Sequence, residues 1–184
     1  MLGLYLSIVD LLSALIFIIV PPTAIKPTNI VGVTFLVYLC LIFFKVLLDD
    51  AAHFADKKKH GQNWQHGIGF TILWNLLILE AIRISVMDFR RAIMYTAFAQ
   101  LIGLIWIVQN YLHKSTEDKN KDRDRHLGWA YINSFNIFSL LIINTYNESS
   151  PKIFVASAFI FLSMITFFDF FWFGTLRRVS ETLE

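Results

Sequence analysis

Residues 151 to 174 read PKIFVASAFIFLSMITFFDFFWFG, an apolar run in which charge enters only at Lys152 and Asp169. At a rise of about 1.5 Å per residue, a helix of this length crosses roughly 30 Å of hydrocarbon. The run lacks the period-two alternation of a barrel strand. In lipid every backbone polar group must also be paired within its own segment or within a closed barrel, so a helix is expected.

Five more runs of this kind precede it, at Leu4 to Val20, Asn29 to Leu48, Gly67 to Met87, Arg91 to Leu112 and Leu127 to Tyr146. The whole chain of 184 residues has 56% hydrophobic residues, 16% charged residues and a mean hydropathy of +0.57. An ordinary soluble domain carries roughly a quarter charged residues. That balance excludes a disordered chain, a collagen-like fibre and a water-soluble globule, which would need far more polar surface. The expected fold is therefore all-α, a polytopic membrane protein whose six transmembrane helices form three hairpins in a single domain spanning 1–184. The bilayer is its first partner.

The first run resembles a secretory leader in length, but Met1 to Ser7 holds no lysine or arginine and no small-residue cleavage site precedes Pro21. It reads as a permanent helix, closed by Pro21 and Pro22 and turned back on the next. The single cysteine, Cys40, lies within an apolar run and cannot make an intrachain disulfide. No basic stripe is interleaved with exposed aromatic residues on a polar surface, so nucleic acid is not an expected partner.

Orientation follows from lysine and arginine in the short loops. Lys57, Lys58, Lys59, Lys114, Lys119, Lys121, Arg123, Arg125, Arg177 and Arg178 fall on one side, against Lys26, Arg90, Arg91 and Lys152 on the other. Both termini are thus expected in the cytoplasm. The stretch 113–126 is expected to be a charged cytoplasmic loop, because Lys114 to Arg125 alternates in sign without one apolar residue.

Polar side chains within apolar runs are the functional pointers, since a charge at mid-bilayer costs on the order of 2.5–3.5 kcal/mol on insertion scales. Asp10, Asn75, Glu80, Arg83, Gln100, Asn133, Asn136, Asn144 and Asp169 form the expected polar pathway. Asn133, Asn136 and Asn144 fall within about 80° on a helical wheel, so one helix face is an amide ladder. Such a ladder either lines a hydrated path or bonds neighbouring helices. Asp10 lies between Ser7 and Ser13 on a polar stripe and is a proton or cation site, or a helix contact.

Glu80 and Arg83 stand at i and i+3, the spacing of an ion pair on one face. Asp169 is expected to reach the basic Arg177 and Arg178 region only indirectly. Gln100 and Gln109 project on opposite sides of their helix, so at least one must meet another helix or another subunit. With eighteen phenylalanines in so short a chain, this points to a homo-oligomer. Asp10, Asn75 and Asn136 recur at similar positions in the three hairpins, a weak internal period without the proline and charge signature of mitochondrial carriers.

A second constellation lies at one membrane face. Asp49, His53, Asp56 and His60 align within about 40° if the second helix continues past the bilayer. Carboxylate and imidazole at that spacing can hold a metal, with His66, His113 or His126 completing the shell. The alternative is a solvated helix end in which Asp49 pairs with Lys45, and Asp56 with Lys59 or His60. Dense histidine boxes, a Cys-x-x-Cys pair and a Gly-rich phosphate loop are all missing. No cofactor is specified.

Three functions follow in order of preference. The first is a channel or transporter for an ion or small polar solute. The second is a membrane-embedded metal enzyme acting on lipid at the cytoplasmic face, and the third a non-catalytic effector or partner-binding subunit.

Overall fold

The computed structural model describes residues 29–55, 64–85, 87–112 and 116–172, with the side chains of 49–68, 113–122, 124, 125 and 170–172 left out. Among these residues the chain is entirely helical. Helix α1 spans Ile30–Ala55, α2 Trp64–Ile84, α3 Phe89–Leu112, α4 Thr116–Tyr146 and α5 Lys152–Trp172. Four stretches are long and apolar enough to cross a membrane: Ile30–Leu48, Phe89–Leu112, His126–Tyr146 and Lys152–Asp169. The expected first span, Leu4 to Val20, lies outside the described residues together with Asp10.

Local chemistry sets the helix starts. Asn29 caps α1, its side-chain oxygen accepting from the Gly32 amide at 2.9 Å. Asp88 does the same for α3, accepting from the Arg91 amide at 3.0 Å. Each cap occupies an amide that the first turn leaves without an intrahelical acceptor. Pro151 stands just ahead of α5, where a missing N–H does no harm, and its carbonyl receives the Phe154 amide at 2.9 Å.

The charged stretch expected as a loop is corrected here: α4 begins at Thr116 and runs without a break into the apolar segment. Polarity alone had suggested a linker. The same residues are good helix formers, however, and Glu117 with Lys121 has the spacing that supports an exposed helix.

Direction alternates along the bundle. Gly103 of α3 lies beside Asn133 of α4, while Tyr111, further along α3, meets His126, earlier on α4, so these two helices are antiparallel. In contrast, α1 and α5 run parallel. Phe35 packs on Phe159 at 4.8 Å between ring centroids, and ten residues further along both helices Lys45 meets Asp169 at 3.0 Å. Phe89 at the start of α3 joins the same aromatic cluster, 5.1 Å from Phe35 and 5.9 Å from Phe159.

The most extensive helix contacts are those of α3 with α2 and α4, and of α1 with α5. Small side chains at Ala92, Ala97, Ala99 and Ala156 are buried, allowing the close backbone approach that lipid-embedded helices use in place of a hydrophobic drive. The outward faces carry Phe44, Phe138, Phe154, Phe161 and Phe168, all more than half exposed. Apolar side chains turned outward on this scale suit a hydrocarbon surround.

Candidate functional site

The polar residues divide by how their hydrogen bonds are met. Buried Thr96, Ser163 and Thr166 each donate to the carbonyl four residues earlier in their own helix, at 2.8, 2.8 and 2.9 Å. They need nothing from a neighbour. The amides differ. Asn75 donates to the Thr71 carbonyl at 2.9 Å and Asn133 to the Trp129 carbonyl at 2.8 Å. Yet the side-chain oxygens of Asn75, Asn136 and Asn144 are buried with no hydrogen-bond partner among the described residues. An unmet carbonyl in an apolar medium is costly, so these acceptors mark places where a polar group is welcome.

Gly103 fixes the level at which they meet. A side-chain carbon there would stand 3.4 Å from Asn133 Oδ1 and 3.6 Å from Trp74 Nε1, so α2, α3 and α4 converge on this glycine. Gln100 lies three residues before Gly103 on α3, and Asn136 three residues after Asn133 on antiparallel α4. Both are displaced about 4.5 Å in the same direction and share one level, with Asn75 about 3 Å from it. Gln100, Asn136 and Asn75 are all buried. The amide face expected on the fifth apolar run is therefore graded in the structure: Asn136 is buried, while Asn133 and Asn144 are half-buried.

Toward the opposite end of the bundle from the phenylalanine cluster lies a cavity of about 70 Å³ between α1, α2, α3 and α4. Its wall includes Lys45, Thr71, Trp74, Trp106, Trp129 and Asn133. Lys45 is 9% exposed and Asp169 3%, and their Nζ–Oδ2 separation is 3.0 Å. The Lys45 ammonium also stands 5.5 Å from the centre of the Trp129 ring. The indole face stabilises the cation and the carboxylate neutralises it, which is how a lysine remains charged out of water. One turn beyond, buried His126 stacks between Tyr111 and Trp129 at centroid distances of 5.6 and 5.8 Å.

The Lys45–Asp169 pair replaces two expectations. Asp169 meets α1 rather than turning toward Arg177 and Arg178, which lie outside the described residues. Lys45 accordingly faces a carboxylate on the far end of the sequence. Sequence spacing had no means of finding this pair, because it depends on α1 and α5 being neighbours in space. The Glu80–Arg83 pair, in contrast, forms at the expected spacing, with Arg83 Nε donating to Glu80 Oε2 at 2.6 Å and Nη2 to Oε1. Both residues are half-buried, away from the cavity wall.

Gln100 and Gln109 separate as their spacing requires, the first buried and the second exposed. Of the histidine constellation, Asp49 and His53 fall on α1 with only their backbone described, and Asp56 and His60 lie outside the described residues. Among the described residues no three metal-binding side chains converge. Comparison with protein families, curated proteins and solved structures found no match for this chain.

Proposed function

We propose that this multi-pass membrane protein conducts or transports an ion or small polar solute along the seam between α2, α3 and α4. The observation that carries the reading is the shared level of Gln100, Asn136 and Asn75, buried amides with unmet carbonyl oxygens, one turn from a cavity that holds a lysine–carboxylate pair. Amides offer both donor and acceptor without net charge, so they can replace the hydration of a passing solute. Charged groups inside an apolar bundle commonly belong to such pathways. Asp10, Asn133, Asn144 and Asp169 extend the seam in this reading.

The test is flux through vesicles reconstituted with the full chain, loaded with potassium chloride and followed with potential-sensitive and pH-sensitive dyes. Parent protein should raise flux above protein-free vesicles, and Asn136→Leu and Gln100→Leu should each lower it at least tenfold while inserting normally. Equal flux from parent and both variants, or parent flux no greater than that of empty vesicles, would discard the reading.

A further inference from the structure

The composition of the cavity wall identifies the sign of what it takes. Tryptophan offers a single N–H and no acceptor, and lysine offers three donors and no acceptor. Trp74, Trp106, Trp129 and Lys45 therefore supply donors only, and Thr71 adds a hydroxyl. Among the described residues no carboxylate lines the cavity. The single carboxylate nearby, Asp169, approaches Lys45 Nζ at 3.0 Å without forming part of the wall. A wall of this kind repels a cation and welcomes an acceptor of negative charge.

Size restricts the guest further. One water needs about 10–15 Å³ of such space. The cavity's 70 Å³ thus accommodates a few waters, or one monatomic or carboxylate-sized anion with a water beside it.

We propose that this cavity is a binding site for a small monovalent anion held on the Lys45 ammonium, with Asp169 as the competing intramolecular counter-charge. Lys45 keeps its charge through Asp169 when the cavity holds water, and shares it when an anion enters. The Trp129 ring fixes the position of the ammonium, and the indole N–H groups define the far wall. Binding stands independently of transport; that the anion is also the transported solute rests on the function proposed above.

Full-length protein in detergent micelles supplies the test, because three tryptophans in the wall make intrinsic fluorescence a direct reporter. Chloride or formate is titrated against gluconate at constant ionic strength. The parent should give a saturable response. Asp169→Asn, which removes the competing charge, should tighten it at least threefold. The double variant Lys45→Met/Asp169→Leu removes both charges together, a replacement that buried ion pairs tolerate far better than loss of one partner. It should abolish the response.

An identical response in the double variant, or a response that follows the cation of the salt, overturns the proposal. Bromide-soaked crystals of the parent give a reading that needs no variant: an anomalous peak beside Lys45 Nζ supports the site, and an empty cavity overturns it. Saturable binding without vesicle flux leaves this site standing and removes the transport reading. Flux that persists while binding ignores Lys45 does the reverse.

Discussion

Gly103 is the residue on which three helices depend, and the space around it sets a graded response to substitution. A methyl group there meets Asn133 and Trp74 at 3.4–3.7 Å, ordinary contact distances. Gly103→Ala should therefore change stability in detergent by less than about 1 kcal/mol, the gain in helix propensity offsetting slight crowding. Gly103→Leu has no such room and should cost about 1–3 kcal/mol through overpacking. Thermal unfolding followed by circular dichroism separates the two. At this scale the sequence was legible where partners are near in the chain. Glu80 and Arg83 could be paired from their spacing, whereas Lys45 and Asp169 could not, because the spacing of residues on one helix carries no information about which other helix lies beside it. His126 was likewise readable as polar and near a helix end, but its aromatic neighbours come from the packing of α3 on α4.

Among the elements, α4 carries the clearest lesson. Its apolar half was evident from length and hydropathy, as were the cores of α1, α3 and α5, since crossing hydrocarbon imposes a minimum length that few other structures need. Its charged half was not, because high polarity suits both an exposed helix and a linker, and only backbone continuity from the apolar half decides between them. Replacing residues 117–125 by a Gly-Ser segment should remove about one helical turn for every 3.6 residues replaced, seen as reduced ellipticity at 222 nm. The same variant should still insert, with the segment from His126 onward protected from protease. Unchanged ellipticity would show that the charged half contributes no helix in solution.

For the molecule as a whole, alternation of helix direction links the structure to an orientation in the bilayer. The phenylalanine cluster and the α4–α5 turn lie at one end; Lys45, Asp169 and His126 lie toward the other. Loop charge assigns the second end to the cytoplasm. In a Cys40→Ser background, a cysteine at position 152 should react with an impermeant maleimide from outside intact cells, and a cysteine at position 121 should react only after permeabilisation. Labelling of both from the same side would contradict the arrangement.

Parallel packing of α1 against α5 carries a temporal consequence. A ribosome releases Lys45 into the membrane long before it has made Asp169, so the lysine must spend most of translation without that carboxylate. Insertion machinery or headgroups have to shelter it meanwhile. The last described helix thereby acts as the closing step of biogenesis, and chains halted before residue 169 should be prominent targets of membrane quality control.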